Sequence, residues 1–172
     1  MYDCGMTHPL EQFIRNVQDF PKPGVGFKDI TPLMEDHLPA LIESMSQNIN
    51  WAEIDYVAGI ESRGFILGAA MAMLNKKGFI VIRKKGKLPP PVVAESYALE
   101  YGTDTIEMAV NTQKKKVLIV DDVLATGGTL KAAIKLCEKN NFQVMGSCVF
   151  INLSFLNKFE SSGHKLHTVL TY

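Results

Sequence analysis

Apolar positions along the chain fall into short unbroken runs separated by stretches in which they recur every three or four residues. The runs "IDYVAGI" (54–60), "FIVIR" (79–83), "KVLIVD" (116–121), "QVMGSCVFI" (143–151) and "HTVLTY" (167–172) predict strands. Helical periodicity predicts helices over Leu10–Gln18, Leu38–Ser46, Gly64–Leu74 and Thr129–Lys139. Near-continuous apolar strands alternating with helices imply an α/β fold, a central and mostly parallel sheet flanked by helices on both faces. Ligands of such sheets bind outside the carboxyl ends of the strands. No repeat of fixed period and no low-complexity linker interrupts the 172 residues, which suit one domain.

The stretch "VLIVDDVLATGGTL" (117–130) puts chemistry at such a strand end. Val117 to Val120 form the buried body of the strand, and Asp121 and Asp122 emerge at its carboxyl end. Thr126, Gly127, Gly128 and Thr129 then lead into a helix, where backbone N–H groups without intrahelical partners can converge on one anion. Glycine suits that turn because a Cβ would crowd the anion or forbid positive φ. Amides and Thr hydroxyls on a phosphate, with two carboxylates on vicinal hydroxyls, describe a grip for a phosphorylated sugar. A plain strand, Gly turn and helix cap at Thr129 would leave the Asp pair unexplained. No Gly-Lys-Ser/Thr follows, so the turn is not a Walker loop.

The same stretch resembles the phosphoribosyl-pyrophosphate motif of type I phosphoribosyltransferases, and its Ala-Thr-Gly-Gly-Thr form is similar to that of the branch acting on adenine. "DFPKPGVGFKDITPL", "AGIESRGFILG", "IRKKGKLP" and "SYALEYG" extend the resemblance over nearly the whole chain, in the family's order. It implies a type I phosphoribosyltransferase fold with a small hood over about 1–35 and a flexible flap over about 88–108. The implied activity is transfer of the 5-phosphoribosyl group from phosphoribosyl pyrophosphate to adenine, giving AMP and pyrophosphate. The alternatives are transfer to xanthine or another 6-oxopurine, and a ligand-sensing protein of the same fold without turnover. The flap motif and the lack of an added DNA-binding region speak against the sensor.

The resemblance also implies residue roles. Asp121 and Asp122 fall on the ribose hydroxyls, and Ala125, Thr126, Gly127, Gly128 and Thr129 on the 5-phosphate. Arg63, in the Glu61–Gly64 loop that binds pyrophosphate in the family with unusual backbone geometry, grips pyrophosphate through its planar fork. Arg83, Lys84 and Lys87 lie near the same group, while Lys85 is an ordinary surface lysine. "SYALEYGTDTIEM" reads as a mobile two-stranded flap rather than a core element, closing against water that would capture a ribosyl cation. Within it Glu100 is the implied general acid/base at the purine, with Tyr101 assigned to the phosphoribosyl-pyrophosphate site. Ala125 stands where 6-oxopurine relatives carry a carboxylate, so the proton group comes from elsewhere. Phe27 and Val123 are expected on the two faces of adenine, with backbone groups around Gly26 and Lys28 reading its amidine edge. Lys28 stands where Arg is common in the family.

Composition narrows the partners. Lys plus Arg equals Asp plus Glu at 18 each, so no general attraction to nucleic acid or an anionic membrane is expected. Cys4, Cys137 and Cys148 lack metal-ligand spacing, and the four histidines form no ligand cluster. No protein metal site is therefore expected, and the resemblance brings magnesium in on the substrate pyrophosphate. A cytoplasmic homodimer is expected, from family usage and from a start without a signal-peptide core. The segment Asn152–Phe159 departs from the family's Glu-Leu-x-x-Leu-x-Gly-Arg, and it is expected to lie away from the named chemistry.

Overall fold

The structure is a computed structural model that describes residues 8–20, 22–24, 26–99, 102–159 and 165–172. It divides into two compact units, Met1–Ser44 and Met45–Tyr172.

In the first unit a 3-10 turn, Glu11–Phe13, leads into strand β1 (Arg15–Val17), which pairs antiparallel with β2 (Phe27–Asp29). Helix α1 (Thr31–Asp36) follows, and α2 (Leu38–Ser46) runs across the division. The helix expected over Leu10–Gln18 is thus not formed. Its apolar spacing is outweighed by a distant partner: Arg15 donates two hydrogen bonds, of 2.6 and 3.0 Å, to Asp29 Oδ2 across the hairpin. Burial alone would raise the carboxyl pKa of Asp29, but hydrogen bonds from Thr31 and Arg15 outweigh it and lower the value.

The second unit is built on a seven-stranded sheet in the order β5-β6-β4-β3-β7-β8-β9. Its strands are β3 (Tyr56–Ile60), β4 (Gly78–Lys84), β5 (Val92–Leu99), β6 (Gly102–Ala109), β7 (Lys115–Leu124), β8 (Phe142–Asn152) and β9 (Leu166–Thr171). Every pair from β4 across to β9 is parallel, and β6 is antiparallel to both β4 and β5. The mostly parallel sheet read from the apolar runs is therefore present.

Side-chain alternation separates the two faces. Ala58 and Ile60 of β3 join a buried cluster with Ala132, Ala133 and Leu136 of α4 (Gly128–Lys139). Val57 and Gly59, which alternate with them, face α3 (Arg63–Leu74), where Gly68 lies against Val57 and Phe79. Because β3 and β7 are parallel neighbours, α3 and α4 both begin at the carboxyl edge of the sheet. Among the described residues no helix is long and apolar enough to cross a membrane.

The flap segment does form two strands, but its base is not peripheral. Ile106 and Met108 of β6 are buried, and β6 pairs with β4 at Arg83↔Glu107 and Lys84↔Ile106. An antiparallel extension of the sheet edge has one face on the core, which turn residues and alternation alone do not distinguish from a free hairpin.

Candidate active site

At the end of β7 the two carboxylates take different environments. Asp122 is buried and its carboxylate accepts a hydrogen bond from Arg63 Nε. Asp121 is half-buried and its Oδ1 accepts the Asp122 backbone N–H at 2.9 Å. Burial, then the neighbouring Asp122 charge, push the Asp121 carboxyl well above the ordinary carboxylate value, against a weaker pull from that N–H and from Arg63. Gly64, in the first turn of α3, allows this approach. A Cβ there would lie 2.7 Å from the Val120 carbonyl oxygen and 3.2 Å from Asp121 Oδ1.

The turn after β7 has the geometry the glycines imply. Gly127 is left-handed at φ +86°, and α4 starts at Gly128, with the Lys131 N–H donating to Gly127 O at 3.0 Å. The residues before it, whose N–H groups have no partner in the helix, line a cavity of about 90 Å³ bounded by Asp121, Val123–Leu130 and Val149. A second cavity, about 370 Å³, shares Asp121 and Thr129 with the first and is also lined by Glu61, Ser62, Arg63, Lys84, Asp122, Tyr97 and Asp104. The Glu61–Ser62 peptide on its wall is cis.

Cations and anions are already matched around the larger cavity. Arg63 pairs with Asp122, Arg83 with Glu61 at 3.2 Å, and Lys84 with Asp104 at 3.3 Å. Glu61 also accepts the Lys84 backbone N–H at 3.0 Å, and the Arg83 and Lys84 contacts hold its carboxyl below the usual range. Arg83 donates to Lys87 O at 3.1 Å, while the Lys87 and Leu88 N–H groups both donate to buried Glu107. The oxygen-only donors Asp121, Asp122 and Thr129 suit a hard cation that keeps most of its coordination to phosphate oxygens and water. Among the described residues there is no group of three or more His, Cys, Asp or Glu that could hold a metal by itself.

Of the residues expected at the site, the structure brings together Arg63, Lys84, Asp121, Asp122 and Thr129 on the larger cavity, and Val123, Ala125, Thr126, Gly127 and Gly128 on the smaller. Arg83 stands behind Glu61 rather than on the cavity lining. Gly26, Phe27 and Lys28 belong to the first unit, where Phe27 meets Phe20 edge-on at 5.2 Å. Glu100 and Tyr101 lie outside the described residues.

Sequence reasoning missed Tyr97 and Asp104. The Tyr97 hydroxyl donates to Asp104 at 3.3 Å and accepts from Thr129 at 3.3 Å, tying the flap strands to the start of α4. The only sequence signal was the alternation along β5. Sequence reasoning also misplaced the segment Asn152–Phe159. Its Asn157 amide donates to Ala125 O at 2.8 Å, and a Cβ on Gly127 would lie 3.2 Å from the Phe159 ring. The parallel pairing of β7 with β8 brings that segment beside the turn, a placement local pattern does not carry.

A carboxylate pair near the end of β7, a left-handed glycine turn on a helix start and a cationic loop after β4, the next strand but one, define a phosphoribosyl-binding α/β enzyme. Consistent with that class, the family model of the phosphoribosyl transferase domain matches residues 28–169. The chain is 45% identical to an adenine phosphoribosyltransferase of Hydrogenovibrio crunogenus, covering 96% of this chain and 97% of the other. It is 49% identical to that of Bdellovibrio bacteriovorus, covering 95% and 99%. Among solved structures, adenine phosphoribosyltransferase from Rhodothermus marinus aligns with TM-score 0.88 and 48% identity over 95% of this chain and 96% of that one. The Saccharomyces cerevisiae enzyme, complexed with an imino-altritol bisphosphate and adenine, aligns with TM-score 0.87 and 32% identity over 93% and 96%. The chain belongs to the adenine phosphoribosyltransferases, within the phosphoribosyl transferase family.

Proposed function

We propose that this chain transfers the 5-phosphoribosyl group from phosphoribosyl pyrophosphate to adenine, releasing AMP and pyrophosphate with inversion at the anomeric carbon. The observation that carries the proposal is the pair of adjoining cavities that share Asp121 and Thr129: a small one around the Ala125–Leu130 turn and a larger one holding Arg63 and Lys84. A 5-phosphate suits the first and pyrophosphate the second, with the ribose hydroxyls against the carboxylates between them.

As the bond from the anomeric carbon to pyrophosphate breaks, negative charge grows on the leaving group, and Arg63 and Lys84, supported by Arg83 and Lys87, stabilise it there. Asp121 and Asp122 accept hydrogen bonds from the ribose hydroxyls and hold the ring as it flattens. Glu100 handles the purine proton while the base nitrogen attacks, with Tyr101 on the phosphoribosyl-pyrophosphate side. Gly26, Phe27 and Lys28, together with Val123, are assigned to adenine. Magnesium, when bound, neutralises pyrophosphate charge, and it is held mainly by the pyrophosphate oxygens. The working form is a cytoplasmic homodimer. In support of the dimer, α3 leaves Ile66, Met73 and Leu74 exposed at 48%, 80% and 51%.

The test is purified protein with phosphoribosyl pyrophosphate, magnesium and each purine base in turn. Adenine is expected to be converted to AMP. Consumption of only hypoxanthine, guanine or xanthine would overturn the choice of base, and no turnover with any base would favour the sensor.

A further inference from the structure

We propose that Asn157 is a positioning residue for the phosphate turn, presetting the backbone amides of Ala125 and Thr126 before any phosphate arrives. The inference rests on the phosphoribosyl reading of that turn and adds a part to it.

A turn containing Gly127 and Gly128 has more backbone freedom than any ordinary loop, so its amides converge only if something outside the turn holds it. Two successive carbonyls entering the turn are held from one side. Leu124 O accepts the Leu153 N–H at 2.9 Å, and Ala125 O accepts the Asn157 side-chain N–H at 2.8 Å. The C=O and N–H of a trans peptide point in opposite directions. Fixing these carbonyls toward the 153–157 segment therefore aims the N–H groups of Ala125 and Thr126 away from it. Ala125 and Thr126 line the smaller cavity, and Asn157 stands outside that lining.

Asn157 can impose this direction because its own side chain is fixed. The second hydrogen of its amide goes to Leu153 O at 2.8 Å, with Asn152 Oδ1 at 3.1 Å sharing one of the two hydrogens, and its Oδ1 accepts the Phe159 N–H at 3.1 Å. The 3-10 turn Ser154–Leu156 before it is anchored to the end of the chain, with the Ser154 N–H and hydroxyl donating to Tyr172 O at 2.8 and 2.6 Å. Phe159 completes the brace against Gly127, and Lys131 lies 5.9 Å from the centre of its ring.

The test is Asn157→Asp, which keeps the shape and the acceptor for the Phe159 N–H but puts an oxygen in place of the donor facing Ala125 O. Ribose 5-phosphate affinity, read by calorimetry, is expected to fall roughly tenfold, the size of one lost hydrogen bond to a half-buried carbonyl, with a matching rise in KM for phosphoribosyl pyrophosphate. Pyrophosphate affinity and KM for adenine are expected to stay within about twofold, since neither depends on the turn amides. The carboxyl introduced by Asn157→Asp would face the Ala125, Leu153 and Asn152 oxygens, which disfavour its anion and raise its pKa above the ordinary value of about 3.9. The variant should therefore regain ribose 5-phosphate affinity, relative to wild type, as pH falls from about 7 to about 4, because a protonated carboxyl donates again. Asn157→Ala is read beside it and should show the same ligand split without the pH recovery. Equal losses for ribose 5-phosphate and pyrophosphate, or wild-type ribose 5-phosphate affinity in either folded variant, would overturn the positioning role. Wild-type protein that failed to bind ribose 5-phosphate would instead bring down the phosphoribosyl reading, and this role with it.

Discussion

Arg63→Ala separates the ion pair that its guanidinium makes with Asp122 from the pyrophosphate contact proposed for it. Asp122 is 7% exposed and pairs with Arg63, whose side chain is 33% exposed. Removing one partner of a fully buried ion pair costs about 3–5 kcal/mol, because the remaining charge keeps its desolvation penalty. Water can enter from the exposed side of Arg63, which reduces the cost here to about 2 kcal/mol. For a chain of this length that lowers Tm by about 4–8 °C, measurable by circular dichroism. Turnover should fall separately, by about 10²–10³-fold, because charge on the departing pyrophosphate loses its donor. The double variant Arg63→Ala/Asp122→Asn tells the two apart. It removes the orphaned carboxylate, so most of the Tm should return while turnover stays low. A wild-type Tm for Arg63→Ala would refute the energetic argument for the pair. Recovery of turnover in the double variant would show that Arg63 acts only by neutralising Asp122.

Three further outcomes follow from the same site and its surroundings. The raised Asp121 carboxyl means the folded state binds its proton more tightly than the unfolded chain, so this group's contribution to stability is full below the ordinary value of 3.8 and is lost as pH rises through the folded value. Asp121→Asn should therefore gain Tm over wild type by a margin that widens as pH rises from 3.8 to the folded value and is constant above it, while phosphoribosyl-pyrophosphate use weakens; a pH-independent margin would contradict the burial and charge account. Glu100→Gln should leave both substrates bound but lower the single-turnover rate by roughly 10²–10⁴-fold, and a near-wild-type rate would reject the acid/base role. Burial pushes the thiols of Cys137 and Cys148 up to about 12, so in native protein neither should react with a disulfide reagent near neutral pH, and both should react once unfolded.

The parts of the fold that were legible in the sequence are those whose cause is local. The apolar bodies of β3, β4 and β7 and the periodic faces of α2, α3 and α4 are contiguous in the chain, and so is the turn from Asp121 to Thr129. What was not legible depends on residues brought from a distance. Arg15 finds Asp29 fourteen positions away and makes a strand where spacing alone suggested a helix. Asn157 reaches Ala125 across thirty-two positions, so a segment that departs from the family pattern turned out to contact the turn after β7. Tyr97 and Asp104 reach the site only because β6 extends the sheet from β4. The Asp pair itself was visible, but the unequal surroundings of its members come from α3, through Gly64 and Arg63.

The three ion pairs around the larger cavity change what an incoming anion encounters. With Arg63, Arg83 and Lys84 each matched to a carboxylate, binding there is an exchange of partners rather than capture by an open positive field. A chloride ion offers less to each cation than the carboxylate it would displace, whereas a chelating polyanion reaches several at once and compensates for several broken pairs together. Selectivity by valence is thereby built in. Since carboxylates are released as the ligand's charge is taken up, the number of counterions displaced is small, and affinity should vary less with ionic strength than it would in a cleft lined by unmatched lysines.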